Sequence, residues 1–571
     1  MSGSLSRSEG DAALRAVGRL RAAAAAVWRT LSVEIAPETL IVVAALYWTL
    51  AANGPFFRAA LHAAPAPGGA AVALLVALAV AVLALHVLLL ALAGWRRVLK
   101  PLLALLTVAA ALAGHFEQTY KVFLDPDMLR NVLHTHPAEA GELLSGTLLL
   151  HLAVYGLLPM LLLAPVRLTQ RRWQRALLAR GALVVGALLA FVVALLAVFQ
   201  PLASLMRNHR ELRYLVTPAN VVYSTARAVA SDVKGQAQPR EAIGLDARPG
   251  PSWAAATKPR VLVLVVGETA RAANWGLSGY ARQTTPQLAG LPVLNFADVT
   301  SCGTNTEVSV PCMFAPRGRR DYDESRIRGQ ESLLHVLSRA GVAVHWRDNQ
   351  SGCKGVCDGL PGDRALDAAG GASGLCRDGQ CLDEAMLRDL DARLDAARGT
   401  QLWVLHQLGN HGPAYARRHP PAFTQFQPEC TSDELGQCSR EQVVNAYDNA
   451  LLYTDHLLAT LQRRLAARAD RVDAAMIYVS DHGESLGESG LFLHGLPYAI
   501  APSQQTRVPM VMWLGEGFAA GTHVDVPCLR DRARQPASHD HLFHTVLGLL
   551  DVRTALYERA WDLVGGCRAG T

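Results

Sequence analysis

Long apolar runs separated by short charged clusters fill the first third of the chain. Five of these runs are candidate membrane spans: residues 39–57, 70–93, 101–116, 143–166 and 181–206. A membrane-spanning helix needs about 20 apolar residues, and only the third run is clearly shorter than that. The pattern therefore predicts a membrane domain of five helices over residues 39–206, preceded by a basic N-terminus over residues 1–38.

Lys and Arg residues are distributed unevenly between the two sides of the predicted spans. The N-terminal segment and the loops after the second and fourth spans carry 5, 3 and 5 of them, whereas the loops after the first and third spans carry 1 and 2. Loops rich in Lys and Arg stay in the cytoplasm. We therefore expect a cytoplasmic N-terminus, an extracytoplasmic loop over residues 117–142, and the chain after residue 206 outside the cytoplasm.

The composition narrows the class of protein. The 571 residues are 51% hydrophobic and only 18% charged, with a net charge of +6. These values argue against a wholly soluble protein and against a disordered chain that binds nucleic acid. We expect no nucleic-acid partner.

All ten cysteines lie in the second half of the chain, beyond the predicted spans. An even number at short spacings indicates disulfides in an oxidising compartment. Pairing by nearest neighbours in sequence, with the last pair left by elimination, gives Cys302–Cys312, Cys353–Cys357, Cys376–Cys381, Cys430–Cys438 and Cys528–Cys567. A structural zinc site is the alternative, but the chain contains no CxxC pair.

The pattern changes after the last apolar run. Residues 207–230 are typical of amphipathic helical pieces at the outer membrane surface, interrupted at Pro218, and residues 231–260 are predicted to be a linker. Short apolar runs rich in β-branched residues then alternate with helical stretches: 261–266, 342–346, 402–408, 476–480 and 509–514. This alternation predicts an α/β domain with a mostly parallel sheet over residues 261–571.

Acidic and imidazole side chains follow three of these predicted strands. Glu268 follows the first strand, His411 comes shortly after the third, and Asp481 and His482 follow the fourth. Ligands collect beyond the carboxyl ends of such strands, and these residues, with His494 a dozen positions later, offer the oxygen and nitrogen donors that zinc prefers. The alternatives are a helix cap for Glu268 taken alone and a satisfied polar cluster for the whole set.

A segment rich in hydroxyl groups lies between the first two predicted strands, in and around the predicted Cys302–Cys312 loop. Its hydroxyl residues are Thr300, Ser301, Thr304, Thr306 and Ser309. Coordination to a metal ion would activate one of them as a nucleophile. Spacing alone does not choose among them, and a capped turn held by a disulfide is the structural alternative.

The predicted extracytoplasmic loop contains polar residues at helical spacing. Asn131, Thr135 and Glu139 are four residues apart, so a helix would place them on one face, with Pro137 as an interruption. From the pattern alone, this face is as consistent with simple solvation as with binding.

Six blocks of sequence, in order behind the predicted spans, point to one known family. They are VVGETAR, TSCGTNTEVSVPCMF, DNQSGCKGVCD, HQLGNHGPAY, SDHGESLGE and LFLHGLPYA. With them, the chain resembles the lipid A phosphoethanolamine transferases of Gram-negative inner membranes over nearly its whole length. The resemblance implies a multi-pass inner-membrane protein with a transmembrane domain of five helices. It also implies a periplasmic α/β domain of the alkaline phosphatase and sulfatase superfamily, with a mostly parallel central sheet.

The resemblance also assigns roles to individual residues. The positions that match zinc ligands are Glu268, Thr306, Asp481 and His482, and Thr306 also matches the nucleophile. The positions that match substrate-binding residues are His411, His494, Lys354, Asn131, Thr135 and Glu139. The two histidines would bind the phosphoryl group or a second zinc ion, Lys354 would line the head-group pocket, and the last three would accommodate the donor's head group. Glu484 is either a partner that orients a ligand or an acid at a helix start.

The implied reaction is a double displacement that uses one or two zinc ions. Thr306 would attack the phosphorus of phosphatidylethanolamine, diacylglycerol would leave, and a phosphate of lipid A in the lipopolysaccharide would accept the phosphoethanolamine. Lipid A modified in this way attracts cationic peptides less strongly, so the resemblance implies polymyxin resistance. We expect a monomer surrounded by membrane lipids.

Several other functions share parts of this pattern. The same chemistry could serve another acceptor, such as Kdo, heptose or a periplasmic glucan, and a membrane-anchored phosphodiesterase or phosphoglycerol transferase would use the same fold and metal. An arylsulfatase needs a C/S-x-P-x-R motif, and the segment VPCMFAP lacks the Arg. A receptor that binds zinc or phospholipid without catalysis is the remaining alternative.

Overall fold

The computed structural model describes residues 32–63, 69–135, 137–237, 239–368, 374–377 and 379–568. The chain divides into two compact units. The apolar unit comprises residues up to Gln118 together with Gly146–Val222, and the sheet unit comprises Thr119–Ser145 together with the chain from Tyr223 onward. Residues 1–31 of the predicted cytoplasmic N-terminus lie outside the described residues.

The apolar unit is helical. Its helices are Pro37–Ala51, Gly54–His62, Gly69–Ala93, Leu99–Thr119, Gly146–Leu152, Leu158–Leu163, Trp173–Ala197 and Phe199–Asn208, with a π-helical turn at Ala153–Leu157 and a 3₁₀ turn at Arg210–Leu215. Among the described residues, four helical segments are long and apolar enough to cross a membrane. The first two helices meet at an angle of 52° and would make a fifth crossing if they form one broken span.

The third and fifth predicted spans have different bounds in the structure. The short third run lies inside the 21-residue helix Leu99–Thr119, which is about 30 Å long at the usual rise per residue. The predicted fifth run, 181–206, is wrong as a single helix, because a helix begins at Trp173 and ends at Ala197 before a second one starts at Phe199. Pro201 lacks the N–H that would donate to the carbonyl of residue 197, so the helical hydrogen bonds are interrupted at this point.

The sheet unit is built on eight strands. We number them along the chain: β1 Arg260–Gly267, β2 Leu294–Thr300, β3 Ala343–Asp348, β4 Gly362–Arg364, β5 Thr400–His406, β6 Asp473–Ser480, β7 Arg507–Leu514 and β8 Ala537–Ser538. Their order across the sheet is β8-β2-β7-β6-β1-β5-β3-β4. β7 runs antiparallel to both neighbours and all other pairs are parallel, so the prediction of a mostly parallel sheet is confirmed.

Strand β1 lies at the centre of the sheet and is buried along its whole length. Its alternate residues belong to two separate cores, with Leu262, Leu264 and Val266 on one face of the sheet and Val261 and Val263 on the other. A strand buried on both faces shows a continuous apolar run, and this is why the five central strands could be predicted. β2 was not predicted, because the sequence LNFADVT includes polar residues on its partly exposed side.

Helices cover both faces of this sheet. Those of the sheet unit are Pro126–His134, Pro137–Glu142, Ala219–Ala237, Pro286–Ala289, Thr306–Met313, Glu324–Gly329, Leu333–Arg339, Ala365–Ala368, Leu390–Asp395, Arg440–Ala466, Ser503–Thr506, Glu516–Gly521, Val526–Arg532 and Leu542–Leu549, the third of which begins in the apolar unit. The helix that follows Pro218 continues to Ala237, so the first seven residues of the predicted linker are helical.

The polar loop before residue 146 forms two short helices. Asn131 lies in the first, Pro126–His134, which we call the loop helix, and Thr135 is its C-cap with extended backbone. Glu139 lies in the second helix, which begins at Pro137. The predicted single helical face through all three residues is therefore wrong, because a proline starts a new helix and disfavours helical backbone in the residue before it.

Five disulfides join the ten cysteines. The pairs are Cys302–Cys312, Cys353–Cys357, Cys376–Cys381, Cys430–Cys438 and Cys528–Cys567, as predicted. All five lie in the sheet unit, and the first closes the loop that leads into the helix Thr306–Met313, which we call the Thr306 helix.

Candidate active site and metal centre

The register of two central strands brings the first predicted ligands together. β1 and β6 are parallel, with Gly267 opposite Ser480, so the next residues, Glu268 and Asp481, leave the sheet side by side. Together with His482, their ligand atoms lie within 4.8 Å of one another, and all three side chains are buried.

Backbone groups orient two members of this triad, Asp481 and His482. Oδ1 of Asp481 accepts hydrogen bonds from the N–H groups of Thr269 and His482, at 3.2 and 2.7 Å. Nδ1 of His482 lies 3.0 Å from the carbonyl oxygen of Gly483, which favours the tautomer with a lone pair on Nε2. That Nε2 lies 3.3 Å from both Glu268 Oε1 and Asp481 Oδ2.

Thr306 faces this triad from the start of its helix. Its Oγ1 lies 3.2 Å from Oε2 of Glu268 and 3.4 Å from Nε2 of His482. Asn305 caps the helix by accepting the N–H of Val308, and Thr306 is the first helical residue. The partial positive charge of a helix N-terminus favours an anion or a phosphoryl group at this point. Among the candidate hydroxyls, the structure therefore places Thr306 at the triad.

The residues of the triad fit a divalent metal ion. Asp481 Oδ2 is buried and accepts no hydrogen bond from the described part of the chain. Burial and the Glu268 charge raise the pKa of Asp481. Burial acts to raise the pKa of Glu268 as well, but its contact with His482 outweighs burial and lowers that pKa. Two crowded carboxylates with an imidazole and a hydroxyl form a donor set typical of zinc.

His494 and His411 lie beside the triad. The ring of His494 is centred 4.4 Å from that of His482 and 5.4 Å from that of His411. Glu484 contacts His494 Nδ1 at 2.8 Å through one oxygen and accepts the hydroxyl of Tyr415 at 2.8 Å through the other. Burial lowers the pKa of His494. Glu484 thus orients His494, and it does not start a helix, because a short strand follows it.

Lys354 lies apart from the triad, next to the residue that follows Thr306. Its Nζ is 3.0 Å from Oε1 of Glu307, and both side chains are nearly fully buried, at 4% and 1% exposure. Lys354 also donates to the hydroxyl of Ser351 at 2.6 Å. The two residues line a cleft of about 500 Å³, and the predicted role of Lys354 in a head-group pocket stays a prediction.

Asn131 and Thr135 of the polar loop contact each other at the end of the loop helix. The Thr135 hydroxyl donates to the carbonyl of Asn131 at 2.7 Å, so this hydroxyl serves to end the loop helix. Met128 on the same helix lies beside Gly495, next to His494. The loop helix therefore packs against the segment that carries a predicted site residue.

Two further residues near the site were not predicted from the sequence. His406 ends β5, and its Nδ1 lies 2.8 Å from Oδ1 of Asp348 at the end of β3. Oδ2 of Asp348 accepts the N–H of Gly352, which anchors the loop that carries Lys354. Burial opposes a charge on His406, but Asp348 outweighs it and raises the pKa of His406. Both residues lie at strand ends, and this position in the sequence could have identified them as candidates.

Comparisons with known proteins find similar sequences for both units of the chain. The family model described as "Phosphoethanolamine transferase EptA/EptB" matches residues 82–233, and the one described as "Sulfatase" matches residues 260–552. The chain is 37% identical over 531 residues to phosphoethanolamine transferase EptA of Escherichia coli (strain K12), covering 92% of this chain and 96% of that protein. It is 38% identical over 536 residues to phosphatidylethanolamine transferase Mcr-1 of Escherichia coli, with the same two coverages.

A solved structure extends the similarity to the fold of the whole chain. The integral membrane protein lipooligosaccharide phosphoethanolamine transferase A (EptA) from Neisseria meningitidis superposes with a TM-score of 0.87 at 37% sequence identity. The superposition covers 93% of this chain and 98% of that protein.

Proposed function

Since the chain belongs to the EptA/EptB family of phosphoethanolamine transferases, we propose that it transfers phosphoethanolamine from phosphatidylethanolamine to a phosphate of lipid A. The observation that carries this proposal is the hydroxyl of Thr306, 3.2 Å from Glu268 and 3.4 Å from His482 at a helix N-terminus. This is the arrangement needed by a nucleophile that attacks phosphorus.

In the first step, Oγ1 of Thr306 attacks the phosphorus of the donor. The bond between phosphorus and the glycerol oxygen breaks, and diacylglycerol leaves with the proton that the hydroxyl gives up. Glu268 accepts the hydrogen bond of the hydroxyl and fixes its direction, while the N-terminus of the Thr306 helix favours the charge on the phosphoryl oxygens. Phosphoethanolamine remains as an ester of Thr306.

Glu268, Asp481, His482 and Thr306 would hold a zinc ion, with His411 and His494 available to a second ion or to the phosphoryl group. When bound there, zinc lowers the pKa of a coordinated hydroxyl and neutralises charge on phosphoryl oxygens. In the second step, an oxygen of the lipid A phosphate attacks the same phosphorus and the bond to Thr306 breaks. The proton that the acceptor phosphate gives up passes to Oγ1 and regenerates the hydroxyl.

The same proposal places the protein in a Gram-negative inner membrane, with the N-terminus in the cytoplasm and the sheet unit in the periplasm. The distribution of Lys and Arg and the five disulfides support this orientation. The domain bounds 1–38, 39–206, 207–260 and 261–571, and the monomeric state, stay predictions.

Mass spectrometry of lipid A tests the reaction and the acceptor together. The wild type and Thr306→Ala are expressed in a Gram-negative host, and we expect lipid A to gain the mass of phosphoethanolamine only with the wild type. The wild-type strain should also become less sensitive to polymyxin. Thr522→Ala is the matched control, because Thr522 is a buried hydroxyl at the end of another helix, where it donates to the carbonyl of Phe518.

The possible results separate the parts of the proposal. If lipid A stays unmodified while the purified wild type releases diacylglycerol from phosphatidylethanolamine, the donor chemistry stands and the acceptor is a different molecule, such as Kdo, heptose or a glucan. If the folded, zinc-loaded wild type neither modifies lipid A nor releases diacylglycerol, the proposed function is wrong.

A further inference from the structure

Glu307, the residue after Thr306, is buried among cations from three other parts of the sheet unit. Its Oε1 lies 3.0 Å from Nζ of Lys354 and 3.2 Å from Nδ1 of His134, and its Oε2 lies 3.4 Å from Arg328. The side chain of Glu307 is 1% exposed.

These contacts belong to a closed ring of ion pairs. In order, the ring joins Glu307 to His134 (3.2 Å), His134 to Asp232 (3.2 Å), Asp232 to Arg130 (2.9 Å), Arg130 to Glu324, Glu324 to Arg328 (3.1 Å), and Arg328 back to Glu307 (3.4 Å). We call these six residues the ion-pair ring. It connects the Thr306 helix with the loop helix, the end of the helix Ala219–Ala237 and the helix Glu324–Gly329.

The ring and Lys354 meet at one cleft. His134, Glu307, Arg328 and Lys354 all line the cleft of about 500 Å³ beside the Thr306 helix. Its walls therefore present both signs of charge, as a zwitterionic head group with a phosphodiester anion and an ammonium requires. In a buried setting, like charges repel strongly. Without the Glu307 carboxylate, Lys354 would face Arg328 with no anion between them and would move away from its present position.

We propose that Glu307 is a positioning residue for the phosphoethanolamine donor, whose carboxylate holds Lys354 and, through His134, the loop helix at fixed places beside Thr306. The inference rests on the proposed function, because it concerns the donor of that reaction. Glu307 acts through Lys354 and His134, so its loss should weaken capture of the donor more than it slows the chemistry at Thr306.

The test measures diacylglycerol release by the full-length protein, purified in detergent and loaded with zinc, from phosphatidylethanolamine in mixed micelles. For Glu307→Gln we expect KM to rise by about 10-fold and kcat to change by less than about 3-fold. Glu558→Gln is the matched control, because Glu558 also pairs with an arginine, Arg320, but lies outside both the cleft and the ring. Its KM should stay that of the wild type.

A double substitution tests whether Glu307 acts through Lys354. Glu307→Gln combined with Lys354→Met should raise KM by no more than about 3-fold beyond Lys354→Met alone, because only the link through His134 is then left to lose. His134→Gln, on a side chain that is 43% exposed, removes the contacts of His134 with Glu307 and Asp232 and should raise KM by about 3-fold. If size exclusion and thermal unfolding show that Glu307→Gln does not fold, His134→Gln still tests the inference.

Defined results would overturn the inference. An unchanged KM in Glu307→Gln, a fall in kcat with constant KM, or effects of Glu307→Gln and Lys354→Met that multiply would each do so, as would an unchanged KM in His134→Gln. If instead the wild type itself releases no diacylglycerol, the proposed function fails and the inference fails with it.

Discussion

Thr306 and Glu307 are neighbours in sequence, yet they belong to two differently built regions. Thr306 faces a triad carried by strand ends, where the register of β1 against β6 sets the distances. Glu307 belongs to the ion-pair ring, whose members come from four helices. The comparison teaches that the candidate metal ligands are placed by the register of the sheet, whereas the residues that we propose to position the lipid lie on helices joined by side-chain contacts.

The largest expected effect is the loss of the Thr306 hydroxyl. Thr306→Ala should lower kcat for diacylglycerol release by at least about 10⁴-fold, because a covalent route needs this oxygen. The metal ligands on the strand ends would remain, so bound zinc per protein should stay near the wild-type value. Thr522→Ala, a change at a buried hydroxyl on another helix, should lose less than about 10-fold. A Thr306→Ala variant that keeps wild-type kcat would show that Thr306 is not the nucleophile.

Removal of the metal is expected to affect both activity and stability. Chelation should abolish release and lower the unfolding temperature, because a ligand at 1,000 times its Kd stabilises the fold by about 4 kcal/mol. Asp481→Asn should prevent recovery when zinc is added back, measured by metal content and activity. Asp455→Asn is the control, since this buried carboxylate caps another helix through the N–H groups of Gln287 and Leu288. Zinc binding by Asp481→Asn at wild-type affinity would contradict the metal site.

The comparison also shows what the sequence could predict. The triad was predictable because continuous apolar runs mark β1 and β6, and parallel strands end at the same edge of the sheet. Thr306 could be chosen among five hydroxyls only through the family resemblance, since the spacing of hydroxyl residues does not show which one faces the strand ends.

The ion-pair ring could not be predicted in the same way. Its members are scattered from Arg130 to Arg328, and each, taken singly, has the pattern of an ordinary surface charge. Their partners depend on side-chain conformations and on how short helices pack, which no periodicity encodes. The same limit applies to Asn131 and Glu139, because Pro137 divides a face that their spacing alone would make continuous.

A smaller effect is expected at Glu484, which supports the strand-end region through His494. Glu484→Gln should lower kcat by about 10- to 100-fold, the range for residues that orient metal or phosphoryl ligands. Glu488→Gln is the control, because Glu488 contacts Arg271 and Arg440. Equal losses in the two variants would show that charge in this segment matters and the contact with His494 does not.

The smallest effect is expected at the far side of the ion-pair ring. Glu324→Gln removes a carboxylate that contacts Arg130 and Arg328, and it should raise the KM for phosphatidylethanolamine by about 3-fold, less than Glu307→Gln. Steady-state kinetics in mixed micelles would measure both. A larger effect at Glu324 than at Glu307 would show that the ring acts as a structural unit and that contact with Lys354 is not decisive.

The most direct test of the central claim is to look for phosphoethanolamine on Thr306 itself. The full-length, zinc-loaded protein is incubated with phosphatidylethanolamine and no acceptor, then acid-quenched, digested and analysed by peptide mass spectrometry. We predict the added mass of one phosphoethanolamine group on the peptide that contains Thr306, and its loss when lipid A is added before the quench. An adduct on another residue, or continued turnover with no adduct in the quenched enzyme, would contradict the account.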